Sequence, residues 1–146
     1  MARATAKTST SKRATPTPAV TSPRTRAYDH DLHEWPRSWR GGEEDLPPGE
    51  ELVACFRPFI AHLAASELAP KTIRRHVDNL WLLGGRIITD LHETPRLRKR
   101  PARQVLQQAI DDDEGGPLLR GGADEQEQRS FDATCRKLRR FLSNTS

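Results

Sequence analysis

Cysteine, methionine and aromatic residues are scarce in this sequence. Its 146 residues include two cysteines, one methionine and one tyrosine, and aromatic residues make up only 5%. No apolar run approaches the ~18 residues that a membrane-spanning helix needs, and no signal-peptide core lies near the N-terminus. We therefore expect a soluble cytoplasmic protein without a membrane partner, in which Cys55 and Cys135 are reduced, buried thiols.

Acidic residues are absent from the first 26 positions, which carry six Lys or Arg side chains. Bulky apolar side chains are almost absent there too, so burial could not offset the entropy lost on ordering. We predict that residues 1–27 form a disordered basic tail. It either anchors the chain non-specifically on nucleic acid or only keeps it soluble.

Residues 28–45 form a predicted linker, polar and rich in acids apart from two large hydrophobes. We expect Trp35 and Trp39 to dock on the domain that follows, and a partner-binding peptide is the alternative. His30 and His33 stand among acids, but a metal site needs three or four converging ligands. We see no second half of such a site in the sequence, and we predict neither a metal nor a cofactor.

Residues 46–143 make up the predicted domain, and no segment shows the alternation of a strand. Apolar residues recur at helical spacing in four segments, at about 46–66, 70–91, 101–110 and 124–142. Pro58 should kink or split the first helix, because an internal proline removes a backbone hydrogen bond. The predicted fold class is an all-α bundle of four to five helices.

The second helix has the clearest division between its faces. A helical wheel assigns a core arc of about 120° to Ile73, Val77, Leu80, Trp81, Gly84, Ile87, Ile88 and Leu91. Leu82 points away from this arc, toward another part of the chain or a partner. Gly84 would let another helix approach closely, whereas no packing reason is apparent for Gly85.

The same helix begins with a concentration of donors and positive charge: Lys71, Thr72, Arg74 and Arg75. The helix dipole already makes this end positive, so the extra charge suggests an anionic partner. Free amides at a helix N-terminus bind phosphate, which favours contact with the backbone of a duplex. The alternative is a solvated cationic face, neutralised by Asp78 and nearby acids.

We predict duplex DNA as the partner. Bases could be read from the exposed face of the helix by Arg75, Asn79 or Arg86, if the helix enters a major groove. The connector RLRKR, residues 96–100, and the basic end of the last helix add further positive charge. The complete set of predicted DNA-binding residues is Lys71, Thr72, Arg74, Arg75, Asn79, Arg86, Arg98, Lys99, Arg100, Arg136, Lys137 and Arg140.

The stretch LAPKTIRRH, residues 68–76, resembles the L-S-P-x-T-(I/L)-x-x-(Y/H) motif of the SAM-like core-binding domain of tyrosine recombinases and phage integrases. The spacing of Phe59 and Leu63 is also similar to that family, and the resemblance covers roughly residues 46–143. It implies a SAM-like helical bundle that binds duplex DNA during recombination of mobile elements.

The catalytic machinery of that family has no counterpart in this sequence. The family carries an Arg, a Lys, an H-x-x-R motif and a nucleophilic Tyr in a separate domain, which would begin where this chain ends. The one tyrosine is Tyr28, in the predicted linker. We therefore expect no enzyme activity: the chain should neither cut nor rejoin DNA.

Two other functions remain open at this stage. A helical protein-interaction module could dock on a full-length recombinase or another protein through Leu82 and the WPRSWR segment, residues 35–40. A truncated integrase remnant would have no direct role on DNA. The loop GGPLLRGG, residues 115–122, and the RLRKR connector have no match in the recombinase family.

Overall fold

A computed structural model describes residues 23–111, 115–119 and 123–145 of the chain. These residues are largely helical and include no β-strand, which confirms the all-α bundle. The α-helices are α1 (Pro23–Asp29), α2 (Trp35–Trp39), α3 (Leu46–Ala64), α4 (Pro70–Glu93), α5 (Ala102–Ala109) and α6 (Glu125–Thr145). Short 3₁₀ turns lie at Leu32–Glu34, Glu43–Asp45 and Pro95–Lys99.

The core lies between α3, α4 and α6, with α5 closing one side. The apolar residues at helical spacing on each helix meet there, because burying that stripe is what stabilises an amphipathic helix. The largest fully buried side chains include Phe56, Phe59, Ile60, Ile73, Leu80, Leu83, Ile87 and Phe131. No helix among the described residues has both the length and the apolarity needed to cross a membrane.

Pro58 does not split α3, which is continuous from Leu46 to Ala64. The proline deprives the carbonyl of Ala54 of its usual donor. Both residues lie on the exposed side of the helix, where the carbonyl can hydrogen-bond to solvent. Of the two predicted effects of Pro58, a kink or a split, the split is therefore excluded.

The segment before α3 is an integral part of the bundle. The predicted tail lies outside the described residues up to residue 22, and its last five residues belong to α1. Tyr28, Leu32 and Trp35 are all in the core. Asp29 is also buried, and its carboxylate lies 3.8 Å from the guanidinium of Arg57 on α3.

Trp81 corrects the predicted core face of α4, because its side chain is 40% exposed. The observed core arc is rotated toward Leu83, which is completely buried. Trp81 lies at the edge of this arc and donates a hydrogen bond from Nε1 to Ser38 Oγ (2.9 Å). Leu82 is 39% exposed and points away from the core, as predicted.

Gly84 accommodates the indole of Trp39, which lies directly on the backbone of α4. A Cβ at this glycine would overlap the six-membered ring of the indole. The close approach predicted at Gly84 therefore occurs, and α2 is the helix that makes it. Gly85, which the sequence left unexplained, lies beside the same indole, where a Cβ would be 3.4 Å from Cδ1.

Both cysteines are free and buried, which confirms the prediction for them. Burial raises the pKa of the Cys135 thiol to about 12, and the nearby Asp132 adds to the rise. Burial also raises the pKa of Cys55. Thiols with raised pKa values are poor nucleophiles at neutral pH, so both behave as small apolar side chains.

Candidate nucleic-acid interface

The N-terminus of α4 opens onto solvent without a side-chain cap. Ala69 occupies the N-cap position and provides no side-chain hydrogen bond to the first turn. Lys71 and Arg75 are exposed, and their four-residue spacing places them on one face of the helix. Thr72 is half-buried on the same turn. Amides and cations at this end thus point toward a common region of solvent.

Helix α6 packs antiparallel to α4 beside this end. Nδ1 of His76 lies 2.7 Å from Oγ1 of Thr134, and Asn79, one turn further along α4, reaches back to Ser130. The two helices therefore run in opposite directions, and the N-terminal turns of α4 face the C-terminal half of α6. That half of α6 carries Arg136, Lys137, Arg139 and Arg140.

The pKa of His76 is influenced by positive charges on both helices. Burial lowers the pKa of His76, and the positive charges of Lys137 and Arg75 lower it further. Arg75 belongs to α4 and Lys137 to α6, so the positive charges of both helices act on one imidazole. Because a histidine with a lowered pKa is neutral at pH 7, it adds no repulsion of its own.

The charge on α6 is only weakly explained by the helix dipole. The helix continues to Thr145, so its basic residues precede the final turn, and the dipole effect fades beyond that turn. Arg139 lies 3.5 Å from Asp111, and Arg136 is not without a partner either. Of the basic residues in this half of α6, Lys137 and Arg140 are left without a described partner. They are three residues apart and so lie on one face of the helix.

We define the α4/α6 basic face as Lys71, Arg75, Lys137 and Arg140. None of these four side chains has an ion-pair partner among the described residues. The nearest acid of α6 in sequence, Asp132, accepts a hydrogen bond from the amide of Gly116 instead. No carboxylate of the described residues neutralises these four cations, of which Lys71, Arg75 and Arg140 are exposed and Lys137 is half-buried.

Three predicted DNA contacts of α4 are engaged within the chain. Arg74 donates to the carbonyl of Ala27 and lies over the ring of Tyr28, 5.1 Å from its centroid. Asn79 is buried, and its amide donates to Thr134 Oγ1 (2.9 Å). Asn79 therefore does not lie on the exposed face, because α6 covers it.

Arg86, the third of these residues, has a side chain that is 22% exposed. It donates from Nε to Asp90 (3.1 Å) and from Nη1 to the carbonyl of Leu118 (2.9 Å). Of the three residues considered for base contacts, only Arg75 is exposed.

The RLRKR connector forms a second basic region at the other end of α4. With 24 residues, α4 is about 36 Å long, so this region is far from Lys71. Arg98 is bound to Asp45 (2.8 Å), and Arg100 donates to Gln108 (2.7 Å). Lys99 is exposed. The two predicted basic clusters thus do not form one continuous surface.

Among the described residues, a group of potential metal ligands consists of Glu44, Asp45 and His92, whose ligand atoms lie within 4.8 Å of one another. His30 and His33, considered from the sequence, are not members. The Asp45 carboxylate already accepts hydrogen bonds from Arg98 on Oδ1 and from His92 (2.7 Å) on Oδ2. The positive charge of Arg98 opposes a cation here, and Arg98 and His92 instead surround the buried carboxylate of Asp45.

The Asp45 cluster predicts a loss of stability in acid. Burial raises the pKa of Asp45, but hydrogen bonds from the Gly41 amide, Arg98 and His92 outweigh it and lower the pKa from 3.8 to about 2. The folded pKa is below the unfolded one, so this stabilisation is complete above pH 4 and disappears as the pH falls through 2. We expect the free energy of unfolding to lose about 2 kcal/mol over this interval. Urea titrations at pH 2 to 5 measure it, and Asp45→Asn should abolish this component.

The central position of His76 was not predicted as part of the interface. Its partner Thr134 is 58 residues away, and no local signal in the sequence indicates such a contact. Comparisons of the chain with protein-family models, curated proteins and solved structures found no match.

Proposed function

We propose that this chain is a non-catalytic DNA-binding module related to the SAM-like core-binding domain of tyrosine recombinases. One observation carries the proposal: cations of two adjacent antiparallel helices lie beside an uncapped helix N-terminus and lack carboxylate partners among the described residues. Lys71 and Arg75 come from α4, and Lys137 and Arg140 come from α6. Phosphate groups match both the charge and the free amides.

The proposed contacts position the chain on a duplex without reading much sequence. Phosphate contacts fix register and orientation but carry no base information. Arg75 alone remains available to reach a base edge, since Asn79 and Arg86 are held within the bundle. We therefore propose binding with little preference between sequences.

The non-catalytic part of the proposal rests on Tyr28. It is the one tyrosine of the chain, and it is buried beneath the guanidinium of Arg74. A nucleophile for strand cleavage must reach a phosphate, and a buried hydroxyl-bearing ring in this position does not.

A pair of double variants tests which basic region binds DNA. Lys71→Ala with Arg75→Ala removes two charges from the α4/α6 basic face. Arg96→Ala with Lys99→Ala removes two exposed charges from the other end of α4. We expect the first pair to weaken binding of a fluorescent duplex by about tenfold to a hundredfold, equally for duplexes of different sequence. The second double variant should bind as the parent does. The proposal would be contradicted if the second double variant bound more weakly than the parent while the first bound as the parent does.

His76 provides a readout that does not depend on affinity. The pKa of its imidazole is lowered by burial and by Lys137 and Arg75. Bound phosphates would screen those two charges, so we expect the pKa of His76 to rise when DNA is added. NMR titration of the histidine ring protons with and without duplex measures this shift, and His33, exposed in the segment before α2, is the internal control. An unchanged pKa in saturated complex would place the DNA elsewhere.

The exposed side chains of Trp81 and Leu82 favour a second function, protein binding. The WPRSWR segment does not offer its tryptophans to a partner, because Trp35 is buried and Trp39 packs on α4. A protein partner, including a full-length recombinase, would therefore dock on α4 itself. This function is compatible with DNA binding.

A further inference from the structure

An apolar patch lies on the solvent side of α4, at its midpoint. Trp81 is 40% exposed and Leu82 is 39% exposed. Half-buried Trp39, Gly85 and Leu119 border these two side chains and continue the apolar surface. Adjacent exposed hydrophobic side chains with a polar rim mark interaction sites more often than isolated ones do.

The patch is held rigidly, as an interface anchor should be. Trp81 donates from Nε1 to Ser38 Oγ (2.9 Å), and Trp39 donates from Nε1 to the carbonyl of Trp81 (3.0 Å). The polar edges of both indoles are thus satisfied inside the chain, and only apolar ring surface faces outward. Ordering such side chains on binding costs little entropy, which is why rigid aromatic residues serve as anchors.

The charges around the patch are arranged symmetrically about Leu82. Asp78 lies four residues before it and Arg86 four residues after it, so all three share one face of α4. Asp78 is exposed and has no ion-pair partner among the described residues. Arg86 uses Nε and Nη1 within the chain, which leaves Nη2 for another carboxylate.

This arrangement fits a second copy of the same helix running in the opposite direction. A two-fold axis through Leu82 brings Asp78 of each copy opposite Arg86 of the other, so the same ion pair forms twice. Arg75 and Thr89, each seven residues from Leu82, then face each other without like-charge repulsion.

We propose that two copies of this chain associate through this patch, with their α4 helices antiparallel and Leu82 at the two-fold axis. A second copy of the chain is therefore the partner that covers the patch, because Asp78 and Arg86 of the two copies are complementary in charge. The patch shares Arg75 with the α4/α6 basic face but uses none of Lys71, Lys137 and Arg140. The association is measured without DNA, so its outcome is separate from that of the proposed DNA binding.

Sedimentation equilibrium of the full chain tests the association. We expect a dimer with a Kd in about the micromolar range. Because the dimer is symmetric, Leu82→Glu places two charges in the interface. If each weakens the association tenfold, the Kd rises by about a hundredfold. Ala54→Glu, on the exposed side of α3, should leave it unchanged. A parent that stays monomeric up to about 1 mM, or an unaffected Leu82→Glu variant, overturns the proposal.

Charge reversal tests the antiparallel pairing. Asp78→Arg alone brings two arginines together at each pair, and Arg86→Glu alone brings two acids together. Each variant should dimerise at least about tenfold more weakly than the parent. Mixed together, they restore both ion pairs, and a heterodimer should form with a Kd within about threefold of the parent value. Absence of the heterodimer, or its survival when both chains carry Leu82→Glu, contradicts the arrangement. Thermal melting of each variant confirms folding.

Discussion

Replacing Asp45 with alanine is expected to lower the free energy of unfolding by about 3 kcal/mol. The carboxylate is completely buried and accepts hydrogen bonds from Arg98 (2.8 Å), His92 (2.7 Å) and the Gly41 amide (2.6 Å). Its removal leaves a guanidinium and an amide without their partner. This value is near the lower end of the range of stability losses for a broken buried ion pair, because Arg98 and His92 are both partly exposed to solvent.

The Asp45 cluster joins three parts of the chain, so its loss should be global. It connects the turn before α3 with the end of α4 and with the connector that follows. Urea unfolding followed by circular dichroism measures the change. Glu67→Ala, at an exposed bend, is the control and should alter stability by less than about 0.5 kcal/mol. Equal stability of Asp45→Ala and the parent would show that the cluster is not a stabilising element.

Adjacent glycines of α4 are expected to respond to alanine in opposite directions. Gly84→Ala forces the indole of Trp39 from its position, and displacing a packed tryptophan costs about 3 to 5 kcal/mol. Higher helix propensity offsets about 1 kcal/mol of this, so we expect a net loss of about 2 to 4 kcal/mol. Gly85→Ala gains the same propensity and has room, since its Cβ would lie 3.4 Å from the indole.

A double-mutant cycle isolates the contact between α2 and α4. In a Trp39→Ala background the indole is absent, so Gly84→Ala should become neutral or stabilising by up to about 1 kcal/mol. The same stability loss in both backgrounds would mean that the backbone of α4, and not Trp39, rejects the methyl group. Thermal and urea unfolding of the four proteins provide the comparison.

Helices α3, α4, α5 and α6 were predictable because each carries an apolar stripe at helical spacing. The stripe also placed Leu82 outside the core. It misplaced Trp81, since a wheel gives angles but not the position of the neighbouring helix that fixes the centre of the arc. The segment before α3 was harder to predict, because its few apolar residues are dispersed among charged ones. Tyr28 and Leu32 nevertheless reach the core from it.

The two halves of the candidate interface differ in how far the sequence could predict them. Lys71 and Arg75 follow from local spacing on one helix. Their convergence with Lys137 depends on the antiparallel packing of α6, which no local pattern encodes. The same limit applies to Arg74, which binds α1, and to Arg98, which binds Asp45 from 53 residues away. The sequence shows which helical residues are basic, but only the fold shows whether a partner within the chain already neutralises their charge.

The salt dependence of duplex binding tests the central claim most directly. Each phosphate contact adds about −0.9 to the slope of log K against log salt concentration. Four contacts by the α4/α6 basic face thus contribute a slope near −3.6, a loss of roughly two orders of magnitude in affinity between 50 and 200 mM salt. Any contribution of residues 1–22 is common to the parent and the variants, so it cancels in a difference. We predict that Lys71→Ala with Arg75→Ala makes the slope shallower by about 1.8, whereas Arg96→Ala with Lys99→Ala leaves it unchanged. A slope identical to that of the parent in the first variant would show that the α4/α6 basic face does not contact DNA.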